Sequence, residues 1–91
     1  ADIIVRLKIM PSDPSADLTK IEKACEDKIK AFGAKQIHSI AEEPVAFGLK
    51  AIIITFLLDE AKSNLDELEN QLKQILNVSS AEVIDVRRAI G

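Results

Sequence analysis

At 91 residues, 47% of them apolar, the chain is long enough for one domain with a buried core. A net charge of −3, no Trp or Tyr, and only Phe32, Phe47 and Phe56 as aromatics argue against a phosphate-gripping or base-stacking surface. Cys25 is alone, which excludes an internal disulfide and any paired-cysteine metal or redox motif.

Asp2 to Met10 alternates, with Ile3, Val5, Leu7 and Ile9 on one side and Arg6 and Lys8 on the other. That period predicts a strand with one buried and one wetted face. Pro11 and Pro14 then enforce an extended loop. Asp17 has the position of an N-cap, and Leu18, Ile21, Cys25, Ile29 and Phe32 follow at helical spacing up to Gly33, a C-terminal stop. Lys23 with Asp27 and Glu26 with Lys30 fall four apart on the outer face of that helix.

Ile37 to Val45 reads as a second strand, pushed to an edge by Pro44. Leu49 to Leu58 is apolar on both faces, through Ile52, Ile53, Ile54 and Phe56, and reads as a central strand. Asp59 to Ser63 is a polar turn. Asn64 and Glu67 have capping-box spacing, and Leu65, Leu68, Leu72 and Ile75 form the apolar stripe of a second helix. Ala81 to Val86 is the last strand, followed by a short basic tail, Arg87-Arg88-Ala89-Ile90-Gly91. The order β-α-β-β-α-β predicts a single α+β domain of ferredoxin-like form. Its four-stranded antiparallel sheet carries both helices on one face, with the first and third strands central.

Catalytic readings find little support. His38 has no second ligand or base beside it, and Cys25 lies on the apolar stripe of its helix. Glu42 and Glu43 are adjacent in a strand and point to opposite faces. The glycines Gly33, Gly48 and Gly91 are isolated, so no phosphate loop exists. Binding features remain. Phe47 beside Gly48 lies in the turn between the second and third strands, where its ring either folds onto the core or protrudes as an anchor. Arg87 and Arg88 are either a solubilising end or guanidinium groups that reach an anion on a partner. Arg6, Lys8 and Lys50 are assigned to the open face of the sheet. The turn at Phe47 and the end of the last strand fall at opposite ends of the sheet, about 23 Å apart for a seven-residue strand. The two could touch separate regions of one large partner but could not share a small-molecule site.

The segment Glu42-Glu43-Pro44-Val45-Ala46-Phe47-Gly48-Leu49-Lys50-Ala51-Ile52, with the ending Val83-Ile84-Asp85-Val86-Arg87-Arg88, resembles the archaeal elongation factor 1-beta family. The likeness extends over essentially the whole chain. It implies a non-enzymatic guanine-nucleotide exchange factor for elongation factor 1-alpha, the GTPase that delivers aminoacyl-tRNA. The lack of a basic-then-apolar N-terminal pattern and the short apolar run from Ile52 to Leu58 set the expectation of a cytoplasmic protein. By the same resemblance the aromatic before the glycine, here Phe47, docks on the partner's second domain. Ala46 stands where eukaryotic relatives have glycine. A lysine near the eukaryotic C-terminus is associated with the partner's Mg²⁺ region, and Arg88 is its nearest match. The expected partner surface is therefore Phe47, Gly48, Lys50, Arg87 and Arg88, on a monomer with no cofactor, nucleic acid or membrane contact. The competing reading is a small-ligand regulatory domain of the ACT kind on the same fold. An acylphosphatase-like enzyme is a weaker rival, because the Met10-to-Ser15 loop has neither glycine nor arginine for a phosphate cradle.

Overall fold

The computed structural model describes residues 1–62 and 64–89. Ser63 of the expected polar turn, and Ile90 and Gly91 of the expected tail, lie outside the described residues. The elements are β1 (Asp2–Pro11), α1 (Leu18–Phe32), β2 (Gln36–Pro44), β3 (Lys50–Asp59), α2 (Leu65–Lys73) and β4 (Val78–Arg88), with short 3-10 turns at Ala46–Gly48 and Glu60–Lys62. The four strands form one antiparallel sheet in the order β2-β3-β1-β4. This is the ferredoxin-like α+β arrangement that the alternation and the element order predict.

The core follows from the two periods. Ile3, Val5, Leu7 and Ile9 of β1 and Ile52, Ile54, Phe56 and Leu58 of β3 pack against Ile21, Cys25 and Ile29 of α1 and Leu68 and Leu72 of α2. β3 is interior, and part of its other face is also buried: Ala51 and Ile53 are buried, Ile53 in register between Lys8 and Ala41, while Thr55 and Leu57 are half-buried. Long apolar stems such as that of Lys8 can shield a neighbour while the ammonium stays wet. β2 is the outer strand that Pro44 requires, and most of its side chains are exposed.

The helix ends obey local chemistry. The backbone N–H of Lys20 donates to the Asp17 carboxylate at 3.3 Å, and that of Glu67 donates to the Asn64 side chain at 3.4 Å. Gly33 takes φ 124 at the end of α1, and its N–H reaches the carbonyls of Ile29 and Lys30. Acidic Asp66 and Glu67 in the first turn of α2, with Lys73 in its last, oppose the helix dipole. Helix α2 ends earlier than its apolar spacing predicts. Ile75 lies beyond it, bonded back to the Leu72 carbonyl at 3.1 Å, and still packs on the core. The outer face of α1 carries the two expected ion pairs, Lys23–Asp27 at 3.2 Å and Lys30–Glu26 at 3.3 Å.

Strand β4 departs most from expectation. It begins at Val78 and runs through Arg88, so the two arginines belong to the strand and are not a loose tail. Ile4 pairs with Arg87 and Ile3 with Arg88, and the Ala89 N–H donates to the Asp2 carbonyl at 2.9 Å. The start of β1 supplies free backbone partners there, and a ladder continues wherever they exist. β4 is the other edge of the sheet. Its register shifts between Arg6 and Leu7 of β1, and nearby the Val83 N–H donates to Glu69 of α2 at 2.6 Å. A helix side chain thereby occupies a donor that would otherwise face outward for another strand.

Candidate functional site

Phe47 is held outward by its own backbone. The Leu49 N–H closes a tight turn onto the Ala46 carbonyl at 3.3 Å, and the Val45 N–H bonds the Leu49 carbonyl at 2.9 Å. Within this turn Phe47 has φ 64 and ψ 29, and Gly48 has φ 74. Two consecutive positive φ values are the geometry of a hairpin turn that normally takes Asn-Gly. Gly48 fits without strain, whereas a bulky aromatic at such a position is an outlier costing about 1–2 kcal/mol. The ring is 94% exposed, so no burial offsets that cost. Of the two placements open at the sequence level, the structure has the protruding one.

Of the other expected site residues, Lys50 adjoins this turn and the two arginines lie far from it. Lys50 begins β3 and is exposed, but it has the same strand parity as Ile52 and Ile54, which enter the core. Alternation therefore takes Lys50 to the helix side of the sheet, not to the open face where it was expected. Arg6 and Lys8 stand in register with Asp85 and Glu82, so the β1–β4 region of the open face carries facing opposite charges and is not a basic patch. Arg87 pairs with Asp85 at 2.9 Å and Arg88 with Glu60 at 3.4 Å, yet each arginine side chain remains 77% exposed. Ion pairs this exposed are worth roughly 0–1 kcal/mol and yield readily to a better anion.

The register fixes the two ends. Arg88 lies opposite Ile3 at one end of β1, and Ile52, two residues into β3, lies opposite Ile9 toward the other. Adding the approach to the turn puts Phe47 and Arg88 about 25–30 Å apart at 3.3 Å per residue. The structure thus brings Phe47, Gly48 and Lys50 together and keeps Arg87 and Arg88 away from them.

Two features were not legible in the chain. Glu42 and Glu43 do face opposite sides, opposite Ile52 and Ala51 respectively, but Glu42 meets Glu22 of α1. One Glu22 carboxylate oxygen is buried without a partner. Burial first, then the hydrogen bond and charge of Glu42, push the Glu22 carboxyl above its ordinary value. Nothing in local spacing joins these two residues; only the packing of α1 on β2 does. Leu76 is the second, 83% exposed at the turn before β4. Its only sequence signal is Asn77, a residue that tolerates left-handed backbone just before a strand. His38 and Cys25 take the placements expected of a surface strand residue and a buried small hydrophobe. His38 is exposed in β2, and burial holds the Cys25 thiol up to about 12. Among the described residues, no three His, Cys, Asp or Glu side chains group to hold a metal, and no helix is long and apolar enough to cross a membrane.

Residues 4–89 match the EF-1 guanine nucleotide exchange domain family. The chain belongs to that family. It is 36% identical over 87 residues to elongation factor 1-beta of Methanothermobacter thermautotrophicus, spanning 96% of both chains. The corresponding protein of Nanoarchaeum equitans is 37% identical over 83 residues, which cover 91% of this chain and all of that one. Solved structures share the fold at much lower identity. The ACT domain from GTP pyrophosphokinase of Chlorobium tepidum superposes with a TM-score of 0.63 at 16% identity, over 92% of this chain and 100% of that one. The C-terminal domain of the MgtC protein from Mycobacterium tuberculosis gives 0.67 at 12% identity, over 89% of this chain and 84% of that one. At such identities the likeness concerns architecture alone. The two sequence relatives are both named elongation factor 1-beta, and the match spans nearly their whole length.

Proposed function

We propose that the chain promotes GDP release and GTP loading on translation elongation factor 1-alpha by stabilising that GTPase's nucleotide-free state. It acts as a monomer and performs no covalent chemistry. The observation that carries this reading is Phe47. A family of exchange domains supplies the class of activity, and an aromatic ring held out at a cost in stability supplies an anchor. Gly48 lets the turn form, and Lys50 flanks it.

An exchange factor works by differential affinity. If it binds the empty GTPase more tightly than the GDP form, reciprocity weakens GDP by the same factor. A roughly thousandfold weakening requires about 4 kcal/mol of such difference. Phe47 alone cannot provide it, since an anchor remote from the nucleotide grips both forms alike. Arg87 and Arg88, at the far end, are the groups suited to supply the difference. A guanidinium near phosphates or Mg²⁺ ligands competes for the same anions, although its planar fork need not occupy a metal position.

Release of fluorescent GDP from elongation factor 1-alpha tests the assignment with wild type, Phe47→Ala, and Arg87→Ala combined with Arg88→Ala. Point variants are preferable to truncation at Val86, because both arginines pair with β1. Phe47→Ala should raise the concentration needed for half-maximal stimulation, and the double variant should lower the maximal rate. Wild-type stimulation by both variants would overturn the assignment.

A further inference from the structure

We infer that elongation factor 1-alpha also covers Leu76, and inserts an apolar side chain into the recess beside it. This rests on the exchange reading above and enlarges its docking surface. Among the described residues, Phe47 and Leu76 are the most exposed of the large hydrophobics, at 94% and 83%. The non-glycine positions with positive φ, among the described residues, are Phe47 itself and Asn77, the neighbour of Leu76. Both apolar side chains occupy the second position of a tight turn. The Leu49 N–H bonds the Ala46 carbonyl at 3.3 Å, and the Val78 N–H bonds the Ile75 carbonyl at 3.1 Å. The Leu76 turn is tied down further, because the Ser12 N–H donates to the Asn77 carbonyl at 2.8 Å. Leu76 is therefore presented by ordered backbone.

The two turns share one end of the sheet. Pro11, at the end of β1, pairs with Val78, while Ile9 pairs with Ile52 of β3. Strands β3 and β4 flank the end of β1 about two strand spacings apart, roughly 10 Å in the plane of the sheet, and the Phe47 turn reaches about a further 10 Å beyond that end. One flat partner can touch both. Beside Leu76 lies a recess of about 390 Å³ lined by Ile21, Ala24 and Ile75, with Asp17 and Lys20 as its charged members. That volume is at the small end of binding clefts, suited to one or two side chains.

Area favours the same partner for both features. One exposed ring offers on the order of 200 Å², whereas a stable interface covers about 800 Å² on each side. An anchor at Phe47 therefore needs neighbouring surface at its own end of the molecule, and Leu76 with its recess is apolar surface there. An apolar residue of the partner flanked by a hydrogen-bonding group would satisfy the recess and its charged members together.

Calorimetric titration of nucleotide-free elongation factor 1-alpha tests this, using wild type, Leu76→Ser, Ala24→Leu to fill the recess, and Phe47→Ala. Melting curves on the same samples establish that each variant is folded. Leu76→Ser and Ala24→Leu should each weaken binding by roughly tenfold, the loss of one well-packed contact. Wild-type affinity for both, with binding lost only in Phe47→Ala, overturns the inference and leaves the exchange reading intact. Losses in the Leu76 and Ala24 variants with none in Phe47→Ala uphold the recess and overturn the role given to Phe47. No binding by wild type overturns the exchange reading and this inference with it.

Discussion

Replacing Phe47 by Asn should make the free protein more stable while damaging its activity. Phe47 occupies a left-handed backbone position at φ 64 and ψ 29, followed by Gly48 at φ 74. Phe47→Asn creates the Asn-Gly pair that such hairpin turns favour. An L-residue pays about 1–2 kcal/mol in this region, and Asn recovers a substantial part through local hydrogen bonding. The ring is 94% exposed, so almost no burial is lost. The net gain is about 0.5–1.5 kcal/mol, which for a domain of this size raises the melting temperature by roughly 2–12 °C. Thermal unfolding followed by circular dichroism reads the gain, and the GDP-release assay on the same preparation reads the cost. Stimulation should fall by roughly tenfold or more, as for loss of a binding hot spot. A drop in melting temperature of several degrees would instead mean that the ring supports the fold.

Glu22→Gln should flatten the dependence of stability on pH. The folded protein holds the Glu22 carboxyl above its ordinary value of 4.5, chiefly by burial and then through Glu42. The folded state thus favours the protonated acid: its contribution is full below the unfolded value and is lost as pH rises through the higher folded one. The variant should melt higher than wild type at neutral pH, with the difference vanishing in acid; parallel curves would exclude the pair as the cause. Glu69→Ala removes the acceptor for the Val83 N–H and should cost about 1–2 kcal/mol in urea unfolding. It should also produce concentration-dependent association in sedimentation, because the β4 edge is opened, and a monodisperse variant of wild-type stability would contradict this. Cys25, buried with its thiol pushed up to about 12, should react with alkylating reagents only as fast as the protein unfolds. Rapid labelling under native conditions would show that α1 opens locally.

The fold was legible because its cues are local and agree with one another. Ile3, Val5, Leu7 and Ile9 alternate, the stripe from Ile21 to Ile29 repeats at helical period, and Asp17, Gly33 and Asn64 mark helix ends. Pro44 gave the edge position of β2 for a stereochemical reason. The end of β4 was misread because two adjacent arginines look like a solvated tail. An edge strand exposes much of its surface and can carry such charges without leaving the sheet. The position of Lys50 was a question of parity, decided only once the start of β3 is set against its buried residues. The outward ring of Phe47 was open at the sequence level, because turn chemistry predicts Gly48 at positive φ but gives no reason for Phe beside it. Such a conflict between local preference and observed backbone is expected where function overrides stability. The Glu22–Glu42 contact depends on which helix faces which strand, and no period in the chain encodes that.

On the proposed function, this chain holds the empty form of a GTPase in preference to the loaded one. Its affinity for elongation factor 1-alpha, measured by calorimetry without nucleotide and again with saturating GDP, tests that most directly. Binding to the nucleotide-free protein should be at least roughly a hundredfold tighter, a difference of about 2.7 kcal/mol. Equal affinity for the two forms would contradict it, however tight the binding, because a ligand that does not discriminate between states shifts neither.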